Sequence, residues 1–253
     1  MGSAPECGAR LRFMDCNCRI GTFEAREEAH FTDICSLLTE MEYLGIAEAL
    51  VMHSWASRWS PRDGNCKLDE MIAGRENLRP CYVGLPAATD ELDPPAEFAA
   101  QVRSRNGAVR LFPRDHQWEF TPWCAGSLLQ ALAAEHVPVL IDIGQTSWDQ
   151  VATVLERYPQ LPLILLNTSY RIDRRIYPLF EAHEKLYLVT HSYQMTWGIE
   201  DISCRFGAER LIFGTGLPES DGGGPLAQVL YADLSDDEKA LIAGGNLRRL
   251  LGL

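Results

Sequence analysis

Long apolar runs are missing from this chain. No stretch of its 253 residues approaches the ~20 apolar residues that a membrane-crossing helix needs. The opening MGSAPECGAR lacks the basic start and apolar stretch of an export signal, so none is expected. Positive charge is scarce as well: 23 basic residues face 35 acidic ones, a net charge of −12. Such a surface repels phosphate backbones and anionic lipid, which argues against nucleic acid or a membrane as partner. The densest basic cluster, YRIDRRIYP at 170–178, is diluted by Asp173 and apolar residues and reads as a solvated helix start. Paired CxxC spacing is absent from the eight cysteines, Cys7, Cys16, Cys18, Cys35, Cys66, Cys81, Cys124 and Cys204. That disfavours a zinc cluster or a disulfide framework and favours a reducing, cytoplasmic setting. No GxGxxG follows the first apolar run, and DGGGP at 221–225 lacks the Lys-Ser/Thr of a phosphate loop, so it reads as a flexible loop.

What the chain does have is alternation. Short apolar runs at 11–16, 46–52, 80–85, 107–112, 137–142, 161–166, 186–190 and 210–214 read as strands. Helical patterns lie near 30–43, 66–75, 95–105, 122–135, 147–158, 172–184, 198–206 and 235–251. Ser147 before WDQVATVLERY, and Ser235 followed three residues later by Glu238, are helix-start signals. Eight strand–helix units in series imply a parallel sheet, and eight is the number that closes into a (β/α)8 TIM barrel. An open doubly wound sheet is the alternative. With residues 1–10 set aside as a tail, residues 11–253 read as one domain.

In such a barrel, chemistry gathers where strands pass into their following loops. The polar residues there are Asp15, Asn17 and Arg19, then His53, Arg110, Asp142, Asn167, His191 and the GTGLPE turn at 214–219. Unpaired buried polar groups cost ~1–3 kcal/mol each, so a converging ring of them calls for partners or a ligand.

At these residues the sequence resembles the amidohydrolase superfamily, in its amidohydrolase-related branch of hydrolases and decarboxylases. FMDCNCRIG looks like that family's Asp-x-His-x-His-x-Gly opening. HVPVLIDIG and RYPQLPLILLNTS are similar to its fifth- and sixth-strand segments. FGAERLIFGTGLP and LSDDEKALIAGGNLRRLLGL look like its Gly-x-x-Arg-Leu-x-Phe-Gly-Ser-Asp-x-Pro and closing Asn-containing helix. The departures fall on the metal ligands: the first-strand histidines correspond to Asn17 and Arg19, and the fifth- and sixth-strand histidines to Asp142 and Asn167. The eighth-strand Asp corresponds to Gly216. Zinc needs three or four Cys, His or carboxylate donors, so no metal at the family's position and no cofactor is expected. Strict alternation places Asp15, Asn17 and Arg19 toward the mouth, and Cys16 and Cys18 toward the helices as packed hydrophobes.

Each candidate carries two readings. Arg19 either clamps a substrate carboxylate or forms an ion pair with Asp142. Asp142 is either a general base or a structural and binding residue. His53 and His191 transfer a proton or bind substrate, unless each only bonds a neighbouring loop. His116, on a longer loop, stands behind them. Arg110 binds an anionic group or pairs with Asp15. Trp55, Trp59, Trp118, Trp123 and Trp197 wall a pocket, or pack loops and a subunit interface. Together these lead to a metal-independent hydrolase of a small carboxylated lactone, ester or amide, with non-oxidative decarboxylation kept open. Catalysis falls to Asp142, His53 and His191; Asn17, Arg19, Arg110, Asn167 and His116 bind a small anionic substrate. The rival reading is a barrel that binds ligand without turnover, and a third gives a metal to His53, Asp142 and His191. Self-association stays open.

Overall fold

The computed structural model describes residues 11–22 and 32–253; the tail read at 1–10 and the first residues of the helix read near 30–43 lie outside them. Eight strands run β1 (Phe13–Ile20), β2 (Ile46–His53), β3 (Leu78–Val83), β4 (Ala108–Leu111), β5 (Val139–Asp142), β6 (Leu163–Leu166), β7 (Leu186–Val189) and β8 (Leu211–Ile212). The helices are α1 (Ile34–Leu44), α2 (Ser54–Arg58), α3 (Pro61–Ile72), α4 (Pro95–Ser104), α5 (Pro122–Ala134), α6 (Trp148–Arg157), α7 (Asp173–Ala182), α8 (Gly198–Phe206), α9 (Gly223–Leu230), α10 (Asp236–Ala240) and α11 (Asn246–Leu251). The strands pair in sequence order, every ladder parallel. At the seam, the Cys16 amide donates to the Phe213 carbonyl (3.1 Å) and the Arg19 amide to that of Leu217 (2.8 Å). The result is a (β/α)8 barrel, as the eightfold alternation predicts.

The strands read as near-continuous apolar runs because a parallel sheet covered by helices buries both faces. Val109, Ile141, Leu165 and Leu188 pack outward against helix residues such as Leu128, Val154 and Ile176. Met14, Leu50, Val83, Leu140, Ile164 and Val189 fill the interior. Ser147 and Ser235 start α6 and α10 with complete capping boxes to Gln150 and Glu238. No helix among the described residues is long and apolar enough to cross a membrane.

Three expectations need correction. Cys16 does not face the helices: a register shift between Asp15 and Cys18 breaks the two-residue period. Cys16 therefore joins the inner cluster while Cys18 stays in the outer one. The DGGGP segment at 221–225 is not a loop throughout: Gly223 and Gly224 form the first turn of α9, where the Asp221 carboxylate accepts from the Gly223 amide at 2.9 Å. The single helix read at 235–251 is α10 and α11 joined by a π turn at Leu241–Gly245.

Candidate active site at the barrel mouth

Because Val109 and Leu111 of β4 face the helices, Arg110 points into the barrel, where it is only 5% exposed. Its Nη1 donates to Asn17 Oδ1 at 2.6 Å, and its guanidinium lies 5.2 Å from the Phe112 ring centre. Its Nε has no hydrogen-bond partner, and no carboxylate among the described residues pairs with it. Burial lowers its pKa, opposed by the nearby Cys81, Asp142 and Cys16; an arginine nonetheless keeps its proton. The expected alternative partner is engaged elsewhere. Fully buried Asp15 accepts from the Asn17 amide (2.8 Å), the Thr215 amide (3.1 Å) and the Thr215 hydroxyl. Burial raises the Asp15 pKa against the pull of those bonds. Asp15 thus ties β1 to the β8 exit.

The Arg19–Asp142 pair does not form. Arg19 meets Glu219 of the GTGLPE turn. Asp142, at the end of β5, instead accepts from the Gly144 amide (2.7 Å) through one oxygen and from Asn167 Nδ2 through the other.

His191 follows β7 and borders a 560 Å³ cleft with Ser192, Gln194, Ser220 and Asp221. Its Nδ1 is buried without a partner. Burial lowers its pKa; Asp15 and Asp142 pull it up while Arg110 adds to the lowering. That places the ring in the field of the same groups. A Cβ at Gly216, whose φ is +80°, would stand 3.1 Å from His191 Nε2, so the missing side chain leaves that nitrogen open. His53 caps α2: its Nδ1 accepts from the Trp55 amide at 3.2 Å, which leaves the proton of the neutral ring on Nε2. Burial, then Lys67, lowers its pKa. His116 bonds the Ser57 carbonyl through Nε2 at 2.9 Å, tethering the loop after β4 to α2. Of the tryptophans, Trp59, Trp123 and Trp197 stand largely exposed and Trp55 partly so, tilted against Trp59. Trp118 packs on the core.

The structure thus brings Asn17 and Arg110 into contact, and Asp142 and Asn167 into contact, with His191 near both. One ring nitrogen of His53 and one of His116 are engaged in loop contacts. Sequence reasoning missed Thr215 as the anchor of Asp15 and Glu219 as the partner of Arg19, although both lie in the turn it had singled out. It also missed the buried Thr168 and Thr190, whose hydroxyls have no partner; threonine inside an apolar run reads as an ordinary strand former.

The family's metal can be tested against these side chains. Its positions carry two amides, one guanidinium, one carboxylate and a glycine. Among the described residues no group of three His, Cys, Asp or Glu could hold a metal ion, so His53, Asp142 and His191 do not assemble as ligands. These residues do not fit a divalent cation.

Solved structures support the same architecture. 5-Carboxyvanillate decarboxylase from Sphingomonas paucimobilis matches with a TM-score of 0.75 at 13% identity, over 96% of this chain and 99% of that one. 2,6-Dihydroxybenzoate decarboxylase from Rhizobium gives 0.73 at 15% identity, over 96% and 99%. Dihydroxybenzoic acid decarboxylase from Polaromonas, described with bound manganese and the inhibitor 2-nitroresorcinol, gives 0.73 at 15% identity, over 96% and 97%. No curated protein matches by sequence. A family model described as amidohydrolase matches residues 79–253, and with that match the chain belongs to the amidohydrolase family.

Proposed function

We propose that this barrel is a hydrolase of a small carboxylated lactone, ester or amide that works without a metal at the family's position. The observation that carries the reading is Arg110: a buried guanidinium that has an amide on one nitrogen, nothing on Nε and no carboxylate partner among the described residues. A buried charge without a counter-charge is costly, and a substrate carboxylate supplies the missing one in planar, two-pronged geometry. Asn17 orients that contact through its amide.

His191 is the base in this scheme. Its lowered pKa keeps it neutral at pH 7 and able to accept a proton. With the ring proton on Nδ1, Nε2 takes a proton from water as the water oxygen attacks the scissile carbonyl carbon. The same proton passes to the departing alkoxide or amine as the acyl bond breaks. Decarboxylation, the activity in the names of the solved neighbours, would need a protonated group to quench the carbanion, and a neutral His191 favours hydrolysis instead. Asp142, with an acceptor bond on each oxygen, positions Asn167 beside the substrate.

The test is turnover of lactone, ester and amide panels by the purified protein, with and without chelator. Hydrolysis that chelator leaves intact is expected; loss with chelator and recovery with zinc or manganese would overturn the metal-free scheme. A second reading, capture of a ligand without turnover, draws on the internal pairings of Asp142 with Asn167 and Arg19 with Glu219, which satisfy the inherited positions among themselves. It predicts stable binding, no product, and little effect of Asp142→Asn. The cytoplasm is the setting we propose, supported by seven free cysteines among the described residues.

A further inference from the structure

The basic cluster at 170–178 has a structural sequel. Beside the loop from β6 into α7 lies a cleft of 430 Å³, bordered among others by Gly144, Trp148, Thr168, Arg171 and Arg175. The guanidinium groups of Arg171 and Arg175 make no hydrogen bond or ion pair among the described residues. Arg171 lies over the Tyr170 ring at 5.0 Å and Arg175 over the Trp148 ring at 5.9 Å. Thr168, at the back of the cleft, is 2% exposed, and its hydroxyl has no partner; its amide is already held by Ser192 Oγ at 3.0 Å. Asp142, the neighbouring carboxylate, is turned toward the Gly144 amide and Asn167. In a chain of net charge −12, two arginines left without acidic partners beside an orphaned buried hydroxyl form an opening that lacks only an acceptor.

We infer that Thr168, Arg171 and Arg175 form a binding subsite for an oxyanion, a carboxylate or a phosphate. The Thr168 hydroxyl donates to one oxygen, and the two guanidinium groups take the others. Gly144 and Thr168 each follow closely on a member of the Asp142–Asn167 pair, so the subsite adjoins the mouth. That its occupant is a second acidic group of the same substrate rests on the hydrolase reading above; the subsite itself does not.

Calorimetric titration of the full chain at low ionic strength with inorganic phosphate, and separately with succinate, tests this. A saturable site that is retained in Arg110→Gln is expected, and the tighter of the two ligands at that site identifies the group. Thr168→Val and Arg175→Gln should each weaken binding roughly tenfold, the loss of one hydrogen bond to a charged group. Arg174→Gln removes the same charge from a residue outside the cleft and should leave binding unchanged. Thr168→Val deletes a hydroxyl that bonds nothing, so its melting temperature should equal or exceed the parent's. That separates lost binding from lost fold. Absence of saturable binding, equal weakening by Arg174→Gln, or a Thr168→Val variant that binds normally would each overturn the subsite. Arg110→Gln keeps the subsite while removing the anion contact of the proposed hydrolase, so phosphate binding that survives in that variant distinguishes failure of one proposal from failure of the other.

Discussion

Glu48 and Arg110 are both buried in this barrel, and they are treated in opposite ways. Glu48, on β2, is gripped through Oε1 by Arg12 at 2.6 Å and by Arg248 at 3.0 and 3.2 Å, so β2, α11 and the residue before β1 are stapled together by a carboxylate paired with two guanidinium groups. Arg110, equally buried, has one amide oxygen and an idle Nε. A charge kept for architecture is given its counter-charges by the chain; one kept for a ligand is left to find them outside. The same contrast separates Asp15, saturated by the β1 and β8 backbone, from His191, whose two ring nitrogens are left to Gly216 and to nothing.

The largest effect expected from this contrast is kinetic. His191→Gln should lower kcat by about 10²–10⁴-fold, the range for loss of a general base, with KM little changed in steady-state assays. An equal fall for His53→Gln, whose Nδ1 caps α2, would erase the distinction between them. Arg110→Gln should raise KM, lowering kcat/KM by about 10–100-fold as one charged contact is lost, while chemical denaturation shows stability unchanged or improved because a desolvated charge has gone. Glu48→Gln should do the reverse: activity stays, and unfolding free energy falls by about 2 kcal/mol as Arg248 loses its ionised partner. A stability loss in Arg110→Gln matching that of Glu48→Gln would show that both charges are structural.

The smallest effect is a pH dependence. His53 and His191 both have folded pKa values lowered from 6.5 by burial, so below pH 6.5 the unfolded chain takes up protons first. Their stabilising contribution is complete above the unfolded value and drains away as pH falls toward the folded ones. Denaturation midpoints should therefore drop between pH 7.5 and 5.5, and drop less in His191→Gln. Asp15, whose pKa is raised from 3.8, works in the other direction: its share is present in acid and lost as pH climbs through its folded value.

The sequence made legible whatever depends on short-range pattern. Strand positions followed from apolar runs, helix starts from Ser147 and Ser235, and the place of Arg110 at the mouth from its seat in the fourth apolar run. Legibility ended where pairing is long-range or a period slips. Cys16 was misplaced because an irregularity in β1 cannot be read from the residues that make it. The partner of Arg19 lay 200 residues away in Glu219, and nothing local distinguished that carboxylate from Asp142. The helix at Gly223–Leu230 hid behind glycines that, on propensity alone, forbid it.

The eighth strand is two residues long, and Gly214, just beyond it, has Cys16 Sγ and Val189 Cγ1 within 2.8 and 2.9 Å of where a Cβ would go. The last stave of the cask is therefore a stub, and its hoop is two amides, Cys16 and Arg19, each hung on a carbonyl of a loop, with the bonds of Thr215 to Asp15 between them. Solvent deuterium should enter there before it reaches the longer ladder between β1 and β2, which makes the rim between first and last strand the place where this wall first parts.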